Sequence, residues 1–122
     1  MVKILALDDE PDIIHSIKEG LKRHGFEVDA YTDPQKAVNE FRSGVYHLAL
    51  VDMRMPKMDG FDVYMQIRKV DNKVRVCFLT AFDMNYGDLL ASLPQLETRC
   101  FIRKPLGITP LVNHIRSELG LH

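Results

Sequence analysis

Apolar runs of strand length alternate with stretches of helical periodicity along the whole chain. The first run spans residues 2–8, and a helix is predicted from Pro11, a residue suited to a first helical turn. Ile13, Ile14, Ile17 and Leu21 form its buried stripe, and Gly25 suits the left-handed position that ends it. Residues 27–31 form the most polar run and are predicted to be an edge strand. Asp33-Pro34 reads as cap plus first turn of a second helix burying Ala37, Val38 and Phe41, with Gly44 as its stop. A third strand is expected over 48–52. The helix after Asp59-Gly60 has Phe61, Tyr64 and Ile67 on one face. Strands over 74–80 and 99–102 follow, separated by a helix over 86–93. A last helix opens at Thr109-Pro110, with Leu111, Val112, Ile115 and Leu119 facing inward.

Five βα units without linker or repeat predict an α/β fold, a single doubly wound domain around a parallel sheet that fills residues 1–122. Parallel strands buried on both faces read as near-continuous apolar runs, and open α/β sheets bind ligands at the carboxyl ends of their strands. Four runs end there on reactive side chains. Residues 4–7 lead into Asp8-Asp9, 48–51 into Asp52, 76–79 into Thr80, and 100–102 into Arg103-Lys104-Pro105.

Each aspartate taken alone is a common helix cap or loop acid. Asp8, Asp9 and Asp52 on one sheet edge form a like-charged cluster that calls for a cation. All-oxygen ligands favour a hard ion such as Mg²⁺, which takes one or two carboxylates and keeps several waters. An aspartate beside such an ion can attack phosphorus, with Lys104 as a point charge and Thr80 as a hydroxyl donor.

The chain has 122 residues and a formal net charge of −1, so no global field directs it to nucleic acid or a membrane surface. No apolar stretch approaches membrane-spanning length, and strand-like alternation begins at Met1, leaving no room for a signal peptide. A cytoplasmic protein is expected. Cys77 and Cys100 lie inside apolar runs without Cys-x-x-Cys spacing, which argues against zinc and for buried, reduced, inert thiols. Were their strands neighbours, the thiols would be close enough for redox chemistry. Residues 20–25 have P-loop glycine spacing, but Phe26 stands where the lysine belongs, and no Gly-x-Gly-x-x-Gly follows the first strand. His15, His24, His47, His114 and His122 show no metal-ligand spacing.

These motifs resemble the receiver domains of two-component response regulators. The residues concerned are Asp8-Asp9-Glu10-Pro11, the run from Asp52 through Met53, Arg54, Met55 and Pro56 to Asp59-Gly60, Thr80-Ala81, and Lys104-Pro105. The resemblance covers essentially the whole chain. It implies a flavodoxin-like fold with five strands in the order 2-1-3-4-5. Asp52 would accept a phosphoryl group from a sensor histidine kinase. Asp9 would touch Mg²⁺ directly, Asp8 through water, and Arg54 through its backbone carbonyl. Thr80 and Lys104 would each hold a phosphoryl oxygen. Phe101 matches the family's switch aromatic, although an aromatic in a buried strand is as readily core. Thr80 and Phe101 would relay phosphorylation to a face built from the fourth helix, fifth strand and last helix. An effector domain or protein would read that face, with no direct nucleic-acid binding and no membrane contact by this domain. A phosphorylation-dependent homodimer is a family option, as is a longer regulator of which this domain is the N-terminal part.

The chain departs from the family before the fifth strand, where residues 92–98 replace the usual Gly-Ala pair and Gly87 and Pro94 weaken the fourth helix. Leu106 replaces a frequent aromatic. Arg54 and Phe82, bulky and two residues beyond Asp52 and Thr80, point to a long-lived phosphoryl state by hindering hydrolytic water. A constitutive interaction module on the same fold is the rival function. A Mg²⁺-dependent phosphatase finds no further acid, base or substrate motif.

Overall fold

The computed structural model describes residues 1–80, 100–104 and 107–121. Its elements run β1 (Lys3–Leu7), α1 (Pro11–Arg23), β2 (Glu27–Tyr31), α2 (Pro34–Glu40), β3 (Leu48–Asp52), α3 (Gly60–Val70), β4 (Arg75–Thr80), β5 (Cys100–Arg103) and α4 (Ile108–Glu118). The helix expected over 86–93 lies outside the described residues. All pairings are parallel and the strand order is β2-β1-β3-β4-β5, the flavodoxin-like arrangement. The polar run 27–31 is an edge, as its composition predicts. No helix among the described residues is long and apolar enough to cross a membrane.

Strand alternation divides the core in two. Leu5, Leu7, Ala49, Val51, Val76 and Phe78 face α2 and α3, where Ala37, Val63, Tyr64 and Ile67 meet them. Ile4, Ala6, Leu48, Leu50, Cys77 and Leu79 face α1 and α4, against Ile14, Ile17, Leu21, Leu111, Val112 and Ile115. Burial on both faces is why these runs lack polar alternation. Each fully buried aliphatic side chain contributes about 1.5–3 kcal/mol before entropy is charged.

The ends of the helices follow local chemistry. Gly25, at φ +89°, closes α1 with bonds from its own N–H to Lys22 O and from Phe26 N–H to Leu21 O, burying Phe26. Asp33 caps α2 through Gln35 N–H. The helix stops at Glu40 rather than running to Gly44, because Phe41 turns extended (ψ 135°) while keeping its ring in the core. The last helix starts one residue before Thr109, with Gly107 at the cap position. Ile108 fills the space where a side chain on Gly20 would lie, so α1 and α4 approach closely at that point.

The expectation of free thiols is overturned. Parallel register sets Cys77 directly opposite Cys100 on β4 and β5, with Cα atoms 4.6 Å apart, and the two sulfurs are joined as a disulfide. Hydrophobic placement alone gives no hint of this, since a buried free cysteine and a buried half-cystine share the same apolar surroundings.

Asp71 organises the passage from α3 to β4 and the turn before β3. Its carboxylate accepts hydrogen bonds from Gly44 N–H at 3.0 Å, Lys73 N–H at 2.8 Å and Val74 N–H at 3.1 Å. Arg68 donates to Val74 O at 2.7 Å and lies over the Tyr64 ring at 5.1 Å. The Gly44 bond, followed by those from Lys73 and Val74, holds the Asp71 pKa below its ordinary value despite burial. Replacing Asp71 by Ala should cost about 2–3 kcal/mol in urea unfolding at neutral pH, because three backbone donors lose their acceptor. A depressed carboxylate stabilises above its unfolded pKa. The cost should therefore shrink in acid, beginning near about pH 4 and vanishing once the folded-state value is passed.

Candidate functional site

The chain leaves β1 outward to β2 and returns across it to β3, so a crevice opens at the carboxyl ends of β1 and β3. Asp8 stands at the end of β1 with no exposed surface, its N–H bonded to Tyr31 O and its Oδ1 accepting from Glu10 N–H at 3.0 Å. Asp52 ends β3 and is 5% exposed, with Oδ1 accepting from Arg54 N–H at 3.3 Å. Lys104, just beyond β5, reaches over to both. Its Nζ lies 2.6 Å from Asp8 Oδ2, 3.3 Å from Asp52 Oδ2 and 3.9 Å from Glu10 Oε1.

Electrostatics follow from this shared cation. Burial and the neighbouring Asp8 charge push the Asp52 pKa up to about 6, although Lys104 and the Arg54 N–H pull the other way. Burial works against the Lys104 charge, but the Asp8 hydrogen bond and the Asp52 carboxylate outweigh it and leave its pKa raised. Asp9 is half-buried, and carboxylate oxygens of Asp8, Asp9 and Glu10 lie within 4.8 Å of one another. Such a close set of oxygen donors, with more negative than positive charge, suits a hard divalent cation.

The backbone aligns the remaining residues. Thr80 is fully buried at the end of β4, and its carbonyl accepts from Lys104 N–H at 2.8 Å. Met53 N–H donates to Leu79 O at 2.9 Å, tying the end of β3 to that of β4. Phe101 is half-buried on β5 and stacks on Phe78, with centroids 5.8 Å apart and planes at 22°. In this conformation it is a core aromatic facing α3. The Arg54 side chain is exposed, and Phe82 lies outside the described residues.

Two further contributors stand within the sequence motifs without a role assigned to them there. Glu10 joins the acidic group, a role signalled only by its adjacency to Asp8-Asp9. Gly60 begins α3 and donates its N–H to Met53 O at 2.9 Å, while Asp59 and Asp62 form a reciprocal capping box around it. A Cβ on Gly60 would stand 2.6 Å from Asp52 O and 2.8 Å from Met53 Cα, both unyielding backbone atoms. The absent side chain thus lets α3 press the loop of Arg54 against the end of β3.

Residues 4–116 match the family model described as "response regulator receiver domain". Among relatives, the chain is 33% identical over 119 residues to "Sensory transduction protein BceR" of Halalkalibacterium halodurans, covering 98% of the chain and 50% of that protein. It is 30% identical over 117 residues to "Transcriptional regulatory protein PrrA" of Mycobacterium tuberculosis, covering 96% of the chain and 49% of that protein. The chain therefore spans about half the length of these relatives. Of solved structures, a response regulator receiver domain protein from Clostridium thermocellum aligns with TM-score 0.84 and 25% identity, over 98% of this chain and 95% of that one. The non-phosphorylated HemR receiver domain of Leptospira biflexa shares the fold at TM-score 0.86 and 24% identity, over 100% of this chain and 97% of that one.

A raised carboxylate pKa costs stability once the group is ionised. With divalent ions chelated, Asp52→Asn should be more stable than the parent by about 1–2 kcal/mol above pH 6. That advantage should fade as pH falls from about 6 to about 4, and be gone below that, where Asp52 is protonated in both folded and unfolded chains. Thermal unfolding across pH measures it. Gly60→Ala should lose about 1–3 kcal/mol by overpacking against backbone, read by the same unfolding measurement.

Proposed function

We propose that this chain, which belongs to the receiver-domain family of two-component response regulators, is a signalling switch in which Asp52 accepts a phosphoryl group from the histidine of a sensor kinase. The observation that carries this reading is Lys104, held between Asp8 and Asp52 at the carboxyl edge of the sheet beside the buried end of β4. A carboxylate that is 5% exposed, flanked by a cation and by further oxygen donors, is a nucleophile prepared for phosphorus rather than a surface acid.

An Asp52 oxygen attacks phosphorus while the bond to the kinase nitrogen breaks, and the imidazole leaves in its neutral form. Lys104 exchanges its contact with Asp52 for a phosphoryl oxygen, and the Thr80 hydroxyl donates to another. Asp8, Asp9 and Asp52, with the Arg54 backbone carbonyl, would hold Mg²⁺. When bound, that ion would offset charge on the transferring oxygens. The same residues would support hydrolysis of the acyl phosphate, so the only turnover is the chain's own phosphorylation and dephosphorylation.

The adduct adds nearly two negative charges and three acceptor oxygens. Thr80 would move toward them and Phe101 would exchange its stack on Phe78 for a new position, changing the surface of β5 and α4. An effector reads that surface. The names of the relatives suggest an attached domain that regulates transcription, with DNA contacts made there and not by residues 1–122. Dimerisation through the same surface and a cytoplasmic location complete the proposal.

Intact-protein mass spectrometry after incubation with Mg²⁺ and acetyl phosphate tests it. One phosphoryl adduct should form on the parent, need Mg²⁺, and be absent from Asp52→Ala. Lys104→Ala should slow its formation roughly tenfold or more, the scale of one lost charge contact to the transferring group. No adduct after a fast quench would shift the assignment to a constitutive interaction module.

A further inference from the structure

The Cys77–Cys100 disulfide joins the two strands that carry Thr80 and Phe101, and nothing in the phosphoryl chemistry requires it. We propose that the pair is a reversible redox site whose closure ties β4 to β5 and restrains the switch, a role that rests on the reading of Asp52, Thr80 and Phe101 given above.

Register supplies the first ground. Cys77 pairs with Cys100, Phe78 with Phe101, and Thr80 with Arg103. The bond therefore sits one residue before the stacked rings and three before the threonine. A Cα separation of 4.6 Å lies within the range that a disulfide spans, so closure asks little of the sheet. Opening it leaves the strand pairing in place but frees the two backbones to separate or slide where Phe101 must turn.

The second ground is that the fold has no evident need of a staple. Both strands are already anchored by apolar side chains, including Leu79 and Ile102 on the same face as the cysteines. A chain of this length buries enough surface to fold without cross-links. Disulfides found in reducing compartments are commonly transient or redox-sensing ones.

Access favours one direction of attack. Cys77 has no exposed surface, whereas Cys100 is only half-buried. A thiolate of a dithiol reductant would attack the Cys100 sulfur, breaking the bond and releasing Cys77 sulfur, which takes up a proton. The reductant's second thiol then displaces Cys100 sulfur, which is protonated in turn, and the reductant leaves as its own disulfide. Reclosure passes two electrons and two protons to a peroxide, which becomes water, or to an oxidised dithiol. The Glu118 carboxylate lies within 4.8 Å of both sulfurs and 4.0 Å from the Arg75 guanidinium, so charges of both signs stand beside the pair.

The test holds the whole chain in buffers of oxidised or reduced dithiothreitol. Iodoacetamide trapping with mass spectrometry reads the bond, and acetyl phosphate with Mg²⁺ reads the switch. The bond should open without denaturant, and the reduced protein should gain its adduct roughly fivefold faster, an ordinary coupling between two sites. Cys100→Ser and Cys77→Ala should match the reduced parent in both buffers. Equal rates for the opened and closed parent would overturn the proposal, as would a bond that opens only on unfolding. Should neither form accept a phosphoryl group, the assignment of Asp52 fails by itself. Amide hydrogen exchange across β4 and β5 then decides the tie: slower exchange in the closed form upholds it, and identical exchange overturns it.

Discussion

Asp8 and Asp52 share one ammonium, that of Lys104, at 2.6 and 3.3 Å. Two carboxylates buried this closely cannot both stay charged without a cation, and the cation comes from the far side of the sheet. Lys104 follows β5, while Asp8 follows β1, with β3 and β4 between them. The strand order therefore has to be right before the charges can be balanced. The backbone bond from Lys104 N–H to Thr80 O sets the lysine at the right height, and that from Met53 N–H to Leu79 O does the same for the end of β3. Electrostatics at the edge and hydrogen bonding within the sheet are thus one system.

A second system runs below it. Phe61, Tyr64, Phe78 and Phe101 form a row of ring contacts at 6.2, 5.9 and 5.8 Å, from the first turn of α3 through β4 to β5. Its outer end begins one residue after Gly60, whose missing side chain lets α3 rest on the backbone of Asp52. Packed rings have few alternative arrangements, so a shift at one end is passed on rather than absorbed.

The strands and their order were legible because both signals are strong in the chain itself. Apolar runs without alternation mark strands covered on two faces, and reactive residues at their ends mark the edge. Asp8, Asp52 and Lys104 could be found that way. Asp71 could not, since an acid between a helix and a strand looks like any loop residue until three N–H groups are seen to point at it. Gly60 showed as a helix start but not as a packing contact, which depends on the distance to another element. The end of α2 was misplaced because Gly44 is a turn signal, whereas the helix stops when Phe41 keeps its ring inside. The state of Cys77 and Cys100 depended on register, and apolar composition is silent on register.

The same bond alters the covalent topology of the chain. While it is closed, residues 77–100 form a ring with the cysteines 23 positions apart, and everything after Cys100 hangs from both ends of that ring. A single peptide-bond cut inside the ring severs the backbone without dividing the molecule, because β4 and β5 stay joined through sulfur. Lys104 and α4 would remain attached to the half that carries Asp8 and Asp52. Only a reductant would then release them, so the same nick would leave one connected molecule in an oxidising solution and two fragments in a reducing one.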